Sequence, residues 1–181
     1  MWKQVDERNG IARLSFVTAK AEIRPGSVAD LAALVAVLGQ RRFFTEHLDR
    51  QRDGHGVLLV AWLDGRPVGD LFLAWEPADK PEVRRYLPGV PHLGHLEVVG
   101  PLQGHGIGTA LIRAAEDRAR QLGHQQLALA VGVQNPDARR LYERLGYADW
   151  GHGTVVGTWV DRDHGPPVTL SEVCDVLVKP L

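Results

Sequence analysis

Gln103-Gly104-His105-Gly106-Ile107-Gly108 sets three glycines at alternate positions. The chemistry such a stretch offers is anion binding. Glycine lets the main chain approach a ligand closely because no Cβ stands in the way. The first turn of a helix adds unpaired N–H groups and a partial positive charge, which attract phosphate oxygens. A cradle of this kind needs a strand before it and a helix after it. "HLEVVG" (95–100) reads as the strand, and Ile107, Ala110, Leu111, Ala114, Ala115, Ala119 and Leu122 keep helical period up to Gly123. A pyrophosphate is the expected occupant. A dinucleotide fingerprint would need its third glycine at Thr109 or Leu111, and a P-loop would need Gly-Lys-Ser/Thr, so neither class fits.

Other reactive groups are few. Cys174 is the one cysteine, so no intrachain disulfide and no thiolate zinc site are available. It lies in a terminal apolar run, and no G-x-S-x-G elbow offers a serine nucleophile. His92 and His95 invite a metal reading, but no third ligand at a recognisable spacing accompanies them, and no metal is expected. A net charge of -1 gives no basic excess for nucleic acid and no field of one sign for an anionic membrane. The polar N-terminus "MWKQVDERNG" lacks the apolar core of a signal peptide, so a cytoplasmic protein is expected.

The elements that position these residues follow from periodicity and punctuation. "AEIRPG" (21–26) predicts a short strand, then Ser27 caps a helix stripe of Leu31, Leu34, Val35 and Leu38. A second helix is expected over 41–52, ended by Gly54 and Gly56. Residues 56–76 read as a hairpin about Asp64-Gly65. Four prolines make 77–92 a loop. "LALAVGV" (127–133) is a strand, Asn135-Pro136 starts a helix that Gly146 ends, and "CDVLVKPL" (174–181) is the last strand. The expected fold class is α/β, one domain over 1–181, with 1–19 an N-terminal extension or extra strand.

Gln103 to Gly108 resembles the Q/R-x-x-G-x-G/A signature of the GNAT acyltransferases, the general N-acetyltransferase superfamily. "NPDARRLYERLGY" (135–147) resembles a second segment of that family, N-x-x-A-x-x-L-Y-x-x-x-G-F/Y. The resemblance implies a mostly antiparallel central sheet with two splayed parallel strands, flanked by helices. It implies acetyl-coenzyme A as co-substrate. Gln103 and the N–H groups of Gly104, His105, Gly106, Ile107, Gly108 and Thr109 would take the pyrophosphate. Leu96 and Val98 match positions whose backbone pairs with pantetheine, Val98 N–H is the oxyanion donor, and Asn135 contacts the pantetheine arm. Ala138 belongs to the same coenzyme set, and Arg140 (or Arg139) would reach the adenosine phosphates.

The implied reaction is direct attack of an amine on the thioester, without an acyl-enzyme. Tyr142 matches the family's general acid; a phenol with pKa ≈ 10 is protonated at neutral pH. His92, eleven residues before Gln103, matches the base position of several members. Glu97 and His95 are rivals, and a reaction with no dedicated base stays open. The regions expected to hold the acceptor are 39–54 between the first helices, the loop 77–92 after the hairpin and the loop 150–170 before the last strand; they carry Glu46, Asp49, Glu76, Asp79, Glu82, Asp161 and Asp163, with Trp75, Trp150 and Trp159. Carboxylates and aromatics suit a cationic small-molecule amine such as an aminoglycoside or other aminosugar antibiotic. Peptide or protein amines are the alternative acceptors; a non-catalytic acyl-coenzyme A sensor is the alternative role. A homodimer is compatible with a sequence that does not fix the oligomeric state.

Overall fold

A computed structural model describes residues 21–161 and 167–181, so the N-terminal segment 1–19 and Asp163 lie outside the described residues. The core starts from a hairpin. β2 (Gly56–Leu63) and β3 (Arg66–Ala74) turn at Asp64 and Gly65, whose φ of 49° and 73° supply the two positive values a two-residue turn needs. Their side chains alternate between two apolar layers. Val57, Leu59, Leu71 and Leu73 meet one, while Leu58, Val60, Phe72 and Ala74 meet the other.

Two helices cover the second layer. α1 (Leu31–Leu38) buries Leu34 and Leu38, and α2 (Arg41–Arg52) buries Phe44 and Leu48. β1 (Glu22–Pro25) pairs with β2 just before them. The 3-10 turn Val28–Asp30 that leads into α1 is fixed by Asp30, which accepts from the Ser27 N–H and hydroxyl and pairs with Arg24 at 2.8 Å. On the opposite face lies α4 (Ile107–Gln121), burying Ile107, Leu111, Ile112, Ala115 and Ala119.

The sheet runs β1, β2, β3, β4 (His92–Val98), β5 (Gln126–Gly132), β7 (Val168–Pro180), β6 (Ala148–Asp161). β4 and β5 are its one parallel pair, joined only at His92↔Ala128 and Leu93↔Leu129 before they part. β4 pairs antiparallel with β3, and β5 with β7, so each strand is held on its outer side while a gap opens between them. α5 (Pro136–Arg144) follows β5. The fold class expected from the resemblance is the one found.

Three expectations are corrected. The proline-rich segment is not all loop: Pro81 sits at the start of a short helix, α3 (Pro81–Tyr86), where its missing N–H has no partner to lose. β4 begins at His92 rather than 95, because Pro91 closes the preceding loop and Leu93 is buried in the sheet. Much of 150–170 is strand: β6 (Ala148–Asp161) and β7 form a long hairpin. Gly151 and Gly153, both at φ 81°, sit in the register shift between Asp149 and Thr154 and hide the alternation from a reading of the sequence. Among the described residues, no helix is long and apolar enough to cross a membrane.

Candidate active site

The gap between β4 and β5 has main-chain groups on its β4 side. Val99 N–H donates to Val68 O at 3.0 Å, toward β3. Strand residues alternate the edge they address, so the N–H groups of Val98 and Leu96 turn toward the gap. The Val98 carbonyl is taken by the Gln103 side chain, whose Nε2 donates to it at 2.9 Å. Gln103 thereby ties the loop after β4 back to the strand.

That loop delivers the three glycines to the start of α4. Gly104 has φ 77° and Gly106, the residue capping α4, has φ 85°. A Cβ built on either would meet nothing within 4 Å, so open space lies before both. Gly108 differs: its Cβ would rest 3.8 Å from Leu96 Cδ2, 3.9 Å from Val98 Cγ2 and 3.9 Å from Leu141 Cδ2. The end of β4, the start of α4 and the stripe of α5 therefore meet at this one residue. No side chain caps α4, and the amides of Ile107, Gly108 and Thr109 have no acceptor within the helix. The His105 ring holds Gln103 O through Nδ1 at 2.9 Å. An uncapped, glycine-framed helix start with open space before it fits a diphosphate.

α5 borders the same region. Asn135 Oδ1 accepts from Ala138 N–H at 3.1 Å and Pro136 follows it, so Asn135 is a helix cap. Tyr142 is 9% exposed on the buried face of α5, its ring 6.0 Å edge-on from Tyr147, and burial raises its pKa. Arg139 is held by Glu143 at 2.8 Å and by Asp175. Arg140 is exposed and bonds Asp137. Cys174 is buried with its pKa raised, the opposite of an activated thiolate.

The other face of β4 is titratable. Residues opposite each other in an antiparallel ladder share a face. Asp70 lies opposite Glu97 and Ala74 opposite His92, on the side covered by α1 and α2. Between them β4 carries one extra residue: Leu71 pairs with Leu96 and Phe72 with Gly94, so His95 bulges out, at φ 45°. The His95 ring lies 4.0 Å from that of Phe43, its Nε2 3.5 Å from Asp70 Oδ1 and 3.3 Å from Glu97 Oε2. Gln40, also left-handed at φ 48°, donates from Nε2 to Glu97 Oε2 at 2.6 Å.

Asp70 is 0% exposed, and none of the described residues hydrogen-bonds either of its oxygens. Burial, with the Glu97 charge beside it, pushes its pKa up to about 8. Burial lowers the pKa of His92, whose Nδ1 is enclosed without a partner, and that of His95. His47, packed 4.0 Å from Phe43, is pulled down to about 4 for the same reason. Asp70, Gln40, Phe43 and His47 were not singled out from the sequence; the signal for Asp70 was an acid inside the apolar run "VGDLFLA".

The acceptor residues expected from the sequence divide. Glu76 is bonded by Arg50, and Asp49 faces outward to Arg52 at 2.7 Å. Trp75 donates to Gly54 O at 2.5 Å, away from β4. Trp150 stands 5.3 Å from the His152 ring and 5.9 Å from Tyr86, joining α3 to β6 through an aromatic group. Trp159 and Asp161 belong to β6.

Comparison with known proteins agrees with this geometry. The acetyltransferase (GNAT) family profile matches residues 28–147. An uncharacterised N-acetyltransferase of Methanocaldococcus jannaschii is 32% identical over 109 residues, which is 60% of this chain and 45% of that protein. The aminoalkylphosphonate N-acetyltransferase of Salmonella typhimurium is 36% identical over 58 residues, 32% of this chain and 38% of that protein. The chain thus spans less than half the length of these curated relatives. Among solved structures, the ribosomal-protein-alanine N-acetyltransferase of Brucella melitensis superposes with a TM-score of 0.61 at 24% identity, covering 88% of this chain and 99% of that one. The paia N-acetyltransferase of Thermoplasma acidophilum, in complex with coenzyme A, gives 0.61 at 18% identity, covering 89% and 99%. The chain belongs to the acetyltransferase (GNAT) family.

Proposed function

We propose that the chain transfers an acetyl group from acetyl-coenzyme A to the primary amine of a small cationic molecule, an aminoglycoside or other aminosugar being the favoured class. The observation that carries this reading is the glycine-framed, uncapped start of α4 at the open end of the β4–β5 gap. Acetyl-coenzyme A supplies the activated acyl group. The amides from Gly104 to Thr109 hold its diphosphate, and the β4 edge at Leu96 and Val98 lines its pantetheine arm, with Asn135 and Ala138 across the gap. The N–H of Val98 points to the acyl oxygen.

His92 is the base. Its depressed pKa keeps the ring neutral at physiological pH, so it can take the proton from the acceptor's ammonium. The freed amine nitrogen attacks the acyl carbon, the carbon–sulfur bond breaks, and Tyr142 hands its phenolic proton to the departing sulfur. Glu97, bonded to Gln40 and beside His95, holds a negative charge on the acceptor side instead of cycling a proton. No metal is needed for these steps.

Support for a cationic acceptor comes from the carboxylates under α2 and the aromatic group on α3 and β6, and support for a small-molecule amine comes from the similarity to an aminoalkylphosphonate N-acetyltransferase. The test is release of free thiol from acetyl-coenzyme A across a panel of aminoglycosides, aminoalkylphosphonates, polyamines and peptides with free N-termini. Turnover with aminosugars and none with peptides is expected. Preference for a peptide N-terminus would reassign the acceptor, and no turnover with any amine alongside tight coenzyme binding would leave a sensor.

A further inference from the structure

From the geometry we infer that Asp70, His95 and Glu97 form a binding site for a divalent first-row metal ion, of the zinc type with one open position. The partners that sequence spacing does not give His95 come from the fold: Asp70 across the ladder on β3, and Glu97 beside it on β4, with His92 not among the ligands.

Three observations carry the inference. The first is spacing. Ligand atoms about 2.0–2.1 Å from a tetrahedral zinc lie about 3.3–3.4 Å from one another. Here His95 Nε2 stands 3.5 Å from Asp70 Oδ1 and 3.3 Å from Glu97 Oε2, and all three ligand atoms fall within 4.8 Å. The second is the Asp70 carboxyl group. It is 0% exposed, aimed at His95, and neither oxygen has a hydrogen-bond partner among the described residues. An acid buried that way is costly unless something pairs with it, and a dication would balance two carboxylates. His95 Nε2 is likewise enclosed without a hydrogen bond.

The third is the support behind the ligands. Among the described residues only three non-glycine residues have positive φ: Asp64 serves the hairpin turn, and the other two, Gln40 and His95, converge on this cluster. Gln40 fixes Glu97 at 2.6 Å, and Phe43 packs against the His95 ring at 4.0 Å. Backbone strain and outer partners that orient ligands are the marks of a built site. The side chains of His95 and Glu97 are 28% and 38% exposed, so the fourth corner is reached from solvent. Nitrogen with two carboxylate oxygens suits zinc, cobalt, iron or manganese better than calcium, which takes six to eight oxygens.

The site shares Glu97 with the acceptor side of the proposed acetyl transfer, and its test reads metal binding alone, independent of turnover. The protein is stripped with a chelator, then titrated with Zn²⁺ by calorimetry and with Co²⁺ by visible absorption. One equivalent of Zn²⁺ is expected to bind, and Co²⁺ to give the intense ligand-field bands of four-coordination. Asp70→Asn and Glu97→Gln should each weaken Zn²⁺ at least tenfold, while His105→Ala, on the exposed loop, should leave it unchanged. Thermal melting of each variant confirms that it is folded. Absence of stoichiometric binding to the wild-type protein overturns the site without any variant. So does Zn²⁺ affinity that survives in folded Asp70→Asn or falls equally in His105→Ala.

Discussion

Replacing Gly106 by alanine separates the coenzyme cradle from ordinary helix packing. At φ 85° and ψ -1°, Gly106 holds a conformation that costs an L-residue about 1–2 kcal/mol. Beyond its chain neighbours, no atom of the described residues lies within 4 Å of the new Cβ, so no clash adds to that cost. Two outcomes are open to the variant. Either the backbone keeps its shape and the methyl stands in the coenzyme's space, or it relaxes and turns the amides of the first turn away. In the first case the methyl itself opposes the coenzyme; in the second, restoring the cradle on binding costs the strain, and about 1–2 kcal/mol is a roughly 5- to 30-fold weaker Kd for acetyl-coenzyme A. Gly108→Ala is the control. Its Cβ would make ordinary contacts at 3.8–3.9 Å, inside α4, where alanine is favoured over glycine by about 0.8–1.0 kcal/mol. It should melt higher and bind the coenzyme within about twofold of wild type, which is roughly 0.4 kcal/mol. Calorimetry and thermal melting on the three proteins decide it. Unchanged affinity in Gly106→Ala, or equal losses in both variants, would refute a main-chain cradle at this turn.

Tyr142→Phe should lower kcat by about two orders of magnitude with little change in coenzyme affinity, the measure of a positioned proton donor; a fully active variant removes that role. His92 acts as a base only when neutral, and burial holds its pKa below the ordinary imidazole value. In wild type kcat/KM should therefore rise with pH along a limb below about 6.5, and that limb should be gone in His92→Ala; an unaltered profile passes the role to Glu97, to His95 or to water. Glu116, 5% exposed in α4, is bonded by Lys179 of β7 at 2.8 Å through both oxygens. Lys179→Met leaves that carboxylate only the longer contact with Arg120, at 3.7 Å, and should cost up to about 3–5 kcal/mol in urea unfolding. Glu116→Gln combined with Lys179→Met should recover much of the loss, and a neutral single variant would mean that water already serves the carboxylate.

What the sequence disclosed is local. The turn at Asp64-Gly65, the helix 41–52 bounded to the residue, and the stripe of α4 each depend on neighbours within a few positions. The phosphate cradle is of the same kind, because its glycines and its helix are contiguous. β6 escaped because its glycines and polar residues break the apolar alternation, and because Val156 and Val160 look outward to solvent, at 53% and 40% exposure, rather than into a core. α3 escaped because proline was weighed as a breaker when, at the first helical position, it is a starter.

The acid cluster was hidden for a different reason. Asp70 and His95 lie on different strands, and their meeting depends on register, which no local pattern states. The extra residue in β4 adds to it. Without that bulge, strict alternation would keep His95 with Glu97 but send His92 to the opposite face, as even and odd positions require. The insertion lets Glu97, His95 and His92 share one side of the strand. A bulge also bends and twists the strand that carries it, and β4 leaves β5 directly after Leu93, where the bulge follows. One inserted residue thus accounts for both halves of the site: the gap whose β4 edge is free for a coenzyme, and the charged face behind it. The left-handed strain at His95 is then the cost of a defect that serves two purposes. It is sustained where Phe43 packs on the ring at 4.0 Å and Asp70 of β3 stands 3.5 Å from its Nε2.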